Sequence, residues 1–150
     1  MKWARSILPL LAALLGTLLA RPAATNQTVR FQAVDIFIDS KETPLAAYQL
    51  EFSVRNGDAK VVGMEGGEHP AFKDAPFYDP KAIQHERVII AAFTTAAADK
   101  LPTGKTRVAT IHLEITGKRN PDYAVKLETT ATLQGRKIVV ETTCEERKPQ

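Results

Sequence analysis

The densest set of chemically reactive side chains lies between residues 66 and 86. Two of the three histidines of the chain fall in this stretch, together with several carboxylates. The polar residues concerned are Glu68, His69, Asp74, Asp79, His85 and Glu86, with Glu65 directly before them. Imidazole and carboxylate are ligands that zinc accepts, so one hypothesis is an exported metal-dependent enzyme with its site here. The spacing favours it little, because no His-x-x-x-His or Cys-x-x-Cys pair brings two ligands together.

Other catalytic arrangements are represented still more poorly. Calcium takes about six to eight oxygen ligands, and the chain has no Asp-x-Asp-x-Asp-Gly pattern that would supply them. Ser40 and Ser53 are the only serines after residue 20, and neither stands in a nucleophile-elbow sequence. Cys144 is the only thiol, and its acidic neighbours suppress the reactive thiolate. We therefore expect a non-catalytic protein without a cofactor.

Three aromatic side chains in the same stretch suit recognition of a partner instead. Phe72, Phe77 and Tyr78 stand among two glycines and three prolines, which restrict the conformations of the loop. Aromatic side chains dominate protein hot spots and stack on sugar rings. We predict that they form, with His69 at the rim, a recognition surface for a protein partner or a polysaccharide. The alternative is that Phe72 and Phe77 fold inward and cap the hydrophobic core.

The overall composition is that of one globular domain. The 150 residues are 44% apolar and 25% charged, which excludes a disordered chain, a collagen-like repeat and a disulfide-built miniprotein. The net charge of +3 comes from twenty basic and seventeen acidic residues, and Lys2 and Arg5 supply two of the positive charges. Because the remainder is nearly neutral, the charge gives no argument for nucleic-acid binding.

The N-terminus has the parts of a secretory signal peptide. Lys2 and Arg5 precede an apolar run over residues 7–20 that closes on small residues. A membrane-spanning helix needs about 20 apolar residues, whereas this run is shorter and is interrupted by Pro9 and Gly16. A removable signal peptide is therefore favoured over a membrane anchor.

We accordingly predict a signal peptide at residues 1–20 and a linker at residues 21–28. The mature N-terminus should lie between Arg21 and Thr25. No cysteine follows the apolar run to carry a lipid anchor. The mature protein is thus expected to be secreted or periplasmic, without a membrane anchor.

The elements that must carry these groups are predicted to be strands. After residue 28, apolar and polar residues alternate, which is typical of half-buried strands. The two clearest inward sets are Val34, Ile36 and Ile38, and Tyr48, Leu50, Phe52 and Val54. Residues 87–93 are apolar almost throughout, which predicts a strand buried on both faces. Further strands are predicted at residues 59–64, 107–115, 123–133 and 137–143.

These strands predict an antiparallel β-sandwich over residues 29–143, followed by a solvated tail at residues 144–150. The predicted core contains Ile36, Ile38, Leu50, Phe52, Val61, Ile89, Ile111, Leu113, Val125 and Leu127.

Three stretches of this pattern resemble the cohesin domain and its relatives among carbohydrate-binding modules. They are the opening strand at residues 34–38, the alternating strand and its short successor within residues 45–65, and residues 104–113. The last is similar to the family's "G-x-(I/V)-A-x-(I/L)-x-F" strand. The resemblance implies a jelly-roll-like sandwich and a non-catalytic role in binding a protein partner or a carbohydrate. A further alternative is a structural subunit of an envelope assembly that pairs through a sheet edge.

Overall fold

The computed structural model describes residues 27–148, which are built mainly of strands. Its eight strands are β1 (Val29–Asp39), β2 (Ala47–Val54), β3 (Asp58–Gly66), β4 (Phe77–Tyr78), β5 (Arg87–Phe93), β6 (Lys105–Thr116), β7 (Tyr123–Ala131) and β8 (Glu141–Glu146). Three single 3₁₀ turns lie at Pro70–Phe72, Pro80–Ala82 and Ala98–Lys100. The predicted signal peptide and nearly all of the predicted linker lie outside the described residues. Among those described, no helix has the length and apolarity needed to cross a membrane.

The strands form two antiparallel sheets of four. Sheet A has the order β3-β6-β1-β8, and sheet B has the order β4-β5-β2-β7. Apolar side chains from both sheets meet in one buried cluster. The prediction of an all-β fold with two antiparallel sheets, as in a β-sandwich, is confirmed.

The hydrophobic core follows the period-two pattern closely. Seven of the ten predicted core residues are buried: Ile36, Ile38, Leu50, Phe52, Val61, Ile111 and Leu113. Val125 and Leu127 pack against this cluster but are only partly buried. The alternation therefore predicts the inward face of both sheets well, because successive side chains of a strand point to opposite faces.

Strand β5 departs from the prediction. Val88 and Ile90 are buried, whereas Ile89 is 40% exposed and Phe93 is 65% exposed. The prediction that residues 87–93 are buried on both faces, with Ile89 in the core, is wrong. One face of the strand covers the core, and the other presents apolar side chains to solvent.

The C-terminal boundary also lies later than predicted. Strand β8 ends at Glu146 rather than at residue 143, and it pairs with β1 from Val34 to Asp39. Arg147 then bonds to Asp35 at 2.6 Å. The solvated tail predicted for residues 144–150 was therefore placed too early. The polar residues of β8 show no apolar alternation, so the sequence pattern does not indicate this strand. An edge strand can be held by backbone pairing and needs few apolar side chains.

Two adjacent glycines hold the start of the long loop against sheet A. A Cβ atom at Gly66 would overlap the backbone of Lys73, and one at Gly67 would overlap the backbone of Arg107. Glu68 N–H also donates to the carbonyl of Arg107 at 3.0 Å. The loop therefore contacts the backbone of β6 at Gly67 and its own backbone at Gly66, which leaves no room for larger residues at either position.

Candidate recognition surface

Phe72 does not belong to a surface. It is 3% exposed, and its ring meets Tyr48 edge to face at 5.4 Å between ring centroids. The prediction that Phe72 contacts a partner is wrong. The inward alternative holds for this residue, because a phenyl ring gains more free energy from burial against the core than from exposure to water.

His69 acts as the cap of the turn that directs Phe72 inward. Its imidazole Nδ1 accepts the backbone N–H of Ala71 at 3.2 Å, and its carbonyl accepts the N–H of Phe72 at 2.9 Å. The 3₁₀ turn begins with Pro70, whose fixed φ suits a first turn position. These contacts give His69 a structural role in shaping the loop.

Phe77 and Tyr78 form strand β4 at the edge of sheet B. Phe77 is 68% exposed and lies opposite Ala91, whereas Tyr78 is 38% exposed and lies opposite Ile90. Because successive residues of a strand point to opposite faces, Phe77 lies on the outer face and Tyr78 on the other side of the edge. The structure thus exposes Phe77 and part of Tyr78 at this edge, whereas Phe72 is buried and His69 caps the preceding turn.

Phe93 is the partner of Phe77 that the sequence did not indicate. The two rings are nearly parallel, with 13° between their planes and 6.0 Å between their centroids. Ile89 lies on the same face of β5 as Phe93, two pairs of residues away along the strand. We call Phe77, Ile89 and Phe93 the aromatic face. If residues 87–93 are read as an alternating strand, Ile89 and Phe93 fall on the same face. That reading would have indicated that Phe93 is exposed.

A shallow groove of about 700 Å³ lies beside this face, and we call it the β5 groove. The β4 residues Phe77 and Tyr78, the loop residue His85, and Arg87 and Ile89 of β5 contribute to its lining. The groove offers apolar walls together with backbone and side-chain polar groups, which is the usual composition of a binding cleft.

The charged groups that line the groove balance in number, because Asp79 and Glu86 are acidic and Lys81 and Arg87 are basic. Arg87 Nη2 lies 2.6 Å from Glu51 Oε2. The hydrogen bond from Arg87 lowers the pKa of Glu51, and the same bond raises the pKa of Arg87. The carboxylate of Asp79 accepts the N–H of Lys81 at 2.9 Å. This rim favours a ligand of low net charge.

The outer face of sheet A has a different character. Arg147 Nη2 lies 2.6 Å from Asp35 Oδ1, and Thr110 Oγ1 donates to the same oxygen at 2.7 Å. Arg107 Nη1 in turn donates to Thr110 Oγ1 at 2.8 Å. Burial opposes ionisation of Asp35, but the hydrogen bonds from Arg147 and Thr110 outweigh it and lower the pKa. This polar network is satisfied by the chain itself.

The groups considered for metal chemistry or nucleophilic attack are dispersed. Within residues 27–148, no three His, Cys, Asp or Glu side chains are grouped so that they could hold a metal ion. His69 is engaged as a turn cap, while His85 lines the β5 groove. Cys144 is half-buried on β8, and burial raises the pKa of its thiol.

Comparison with protein-family models, curated proteins and solved structures gave no match for this chain. The candidate surface is therefore defined by its own geometry, namely the aromatic face and the β5 groove.

Proposed function

We propose that this chain is an exported, non-catalytic binding module, secreted or periplasmic, that recognises a protein partner or a polysaccharide. Its recognition surface is the aromatic face, with Tyr78 and the β5 groove beside it. The observation that carries this proposal is the stacked pair of Phe77 and Phe93, which are 68% and 65% exposed. Export rests on the signal-peptide pattern of residues 1–20.

The aromatic face combines features that favour ligand binding over a structural role. An exposed apolar patch rimmed by polar groups marks an interaction site in many proteins. Phe77 and Phe93 already hold each other in place, so binding them costs little side-chain entropy. Parallel phenyl rings fit the flat side of a sugar ring or an apolar side chain of a partner.

The order of the strands supports the jelly-roll-like part of this proposal, whereas the cohesin-like part rests on the three sequence stretches alone. Every connection between consecutive strands crosses from one sheet to the other, except the connection from β4 to β5. Eight strands divided between two sheets in this way are typical of jelly rolls. Such sandwiches serve many unrelated functions, so the binding role is argued from the surface and the fold adds only consistency.

The test compares two phenylalanines of similar exposure on opposite sheets. Phe77→Ala should weaken binding of the ligand by about 1–3 kcal/mol, the range of an interface residue up to a hot spot. The matched control is Phe31→Ala, because Phe31 is 72% exposed on the outer face of sheet A. It should leave the affinity unchanged, and neither variant should shift the melting temperature appreciably.

The ligand for these titrations is found in two arms. One arm screens soluble and insoluble polysaccharides, and the other identifies proteins captured from the envelope and culture medium of the producing cell. Each hit is then titrated against both variants by calorimetry. Equal affinity of the Phe77→Ala variant and the unmodified protein for every hit would place recognition elsewhere and overturn the proposal.

A further inference from the structure

Strand β5 turns half of its backbone groups away from β2. Val54 N–H donates to the carbonyl of Glu86 at 2.8 Å, and Thr94 N–H donates to the carbonyl of Ala46 at 2.9 Å. Glu86 and Thr94 thus bond towards β2. In an antiparallel pair, hydrogen-bonded and non-hydrogen-bonded positions alternate. The backbone groups of Arg87 and Ile89 therefore face the opposite edge, towards β4.

Strand β4 covers only part of that edge. It pairs Phe77 with Ala91 and Tyr78 with Ile90, and the strand then ends in the 3₁₀ turn at Pro80–Ala82, which contacts β5 without pairing with it as a strand. Within residues 27–148, β4 is the outermost strand of sheet B on this side. The segment from Arg87 to Ile89 consequently lacks a neighbouring strand there, and the β5 groove lies along it.

The outer edge of β3 shows what a covered edge looks like in the same molecule. Val61 N–H donates to the carbonyl of His85, and Gln84 N–H donates to the carbonyl of Val61, both at 2.8 Å. The end of the long loop thus occupies β3 as a short added strand would. Because exposed strand edges are usually covered in this way, the contrast with the open segment of β5 points to an external strand.

We propose that an extended peptide segment of a partner protein adds to β5 beside Arg87–Ile89 and lies in the β5 groove. This inference rests on the proposed function and commits it to a protein ligand bound by backbone pairing. A neighbouring peptide offers N–H and C=O groups at the strand repeat of about 6.8 Å, which matches alternate residues of β5. A polysaccharide has no such repeat of donors and acceptors in this geometry.

The walls of the groove define the side chains of this peptide. The peptide residue opposite Arg87 lies on the outer face, where Arg87 is already paired with Glu51, so a neutral residue fits. Its two neighbours point to the other side of the strand, where Ala82 is half-buried and Val88 is already buried in the core. The peptide should therefore carry apolar side chains at these alternate positions.

The probe is a library of random ten-residue peptides displayed on phage and selected on the unmodified protein. Selected peptides are then synthesised and titrated against two variants at one position. Arg87→Pro removes the N–H that faces the groove, and proline is tolerated at the first residue of a strand. Arg87→Ala removes the same side chain and keeps the N–H. Because the two variants share the loss of the side chain, their difference isolates the N–H, and Arg87→Pro should bind about tenfold or more weakly than Arg87→Ala.

A second measurement on the unmodified protein keeps the test independent of the folding of the proline variant. Methylation of single backbone nitrogens in the peptide should abolish binding at alternate residues only, because only those face β5. Equal tolerance at all positions, equal affinity for both Arg87 variants, or a selection without binders would each overturn the inference. Self-association of the protein that Arg87→Pro abolishes would also overturn it, with a second copy as the occupant.

These outcomes are separable from failure of the proposed function. If Phe77→Ala weakens a ligand whose affinity Arg87→Pro leaves unchanged, the aromatic face binds and the β5 edge does not. If neither variant changes any affinity, both proposals fall.

Discussion

The outer faces of the two sheets differ in whether the side chains compared here have partners within the chain. On sheet A, the carboxylate of Asp35 is matched by Arg147 and Thr110, so its polar groups are satisfied within the chain. On sheet B, Phe77 and Phe93 are about two-thirds exposed and their rings stack on each other. The Asp35 network is thus closed within the chain, whereas the Phe77–Phe93 pair leaves apolar surface exposed to water.

Both faces arise from what the strands place at outward positions. Strand β1 alternates buried aliphatic residues with outward groups such as Asp35 and Asp39. Strand β5 keeps apolar residues at outward positions too, including Ile89 and Phe93. The outward polar groups of β1 can therefore be solvated. The outward apolar residues of β5 leave apolar surface in contact with water, and burial of that surface by a partner would be favourable.

The largest effect is expected from two phenylalanines of the same loop. Phe72→Ala should lower the free energy of unfolding by about 3–5 kcal/mol, because it leaves a cavity in the core. Phe77→Ala should change it by no more than about 0.5 kcal/mol, because its ring already faces water. Urea denaturation followed by circular dichroism measures both. Comparable destabilisation by the two substitutions would mean that the aromatic face is part of the core.

A smaller effect is expected on sheet A. Asp35→Asn should lower the free energy of unfolding by about 1–3 kcal/mol, because it leaves Arg147 and Thr110 without their anionic acceptor. Asp39→Asn is the matched control on the same strand and face, where the ion pair with Lys41 is more exposed and therefore weaker. Equal urea midpoints for the two variants would show that the network around Asp35 does not stabilise the fold.

The smallest effect is the pH dependence of that network. Folding lowers the pKa of Asp35 below its value of about 3.9 in an unfolded chain. Its stabilising contribution is therefore complete above about pH 4 and is lost as the pH falls through the folded-state pKa. Asp35→Asn lacks this titration, so the difference in unfolding free energy between the two proteins should shrink below about pH 4. A difference that stays constant in urea titrations from pH 6 to pH 3 would contradict the assignment.

The sequence predicted the interior better than the surface. Ile36, Ile38 and Phe52 were placed in the core because period-two alternation records which side chains face inward. Ile89 was misplaced because an outward apolar residue breaks the alternation and imitates a strand buried on both faces. That error also concealed Phe93, so the sequence indicates the aromatic face only as an excess of apolar residues.

The alternation of apolar and polar residues does not predict the conformation of the long loop or the position of the C-terminal strand. Proline and glycine fix turns but do not state which aromatic side chain turns inward, so Phe72 and Phe77 looked equivalent. Their opposite positions depend on the cap at His69 and on the pairing of β4 with β5. The predicted strand at residues 137–143 begins and ends earlier than β8. Backbone hydrogen bonds to β1 hold the polar residues of β8, and such bonds produce no periodic pattern of apolar residues in the sequence.

The glycines at the start of the loop limit how this protein can diversify. Backbone atoms from two other segments pass over Gly66 and Gly67, so any side chain there forces the loop onto another path. Substitutions should therefore be tolerated at exposed positions such as Lys73, Asp74 and Ala75 and rejected at the two glycines. Homologues whose loops differ in sequence should therefore keep Gly66 and Gly67 and vary at residues around β4.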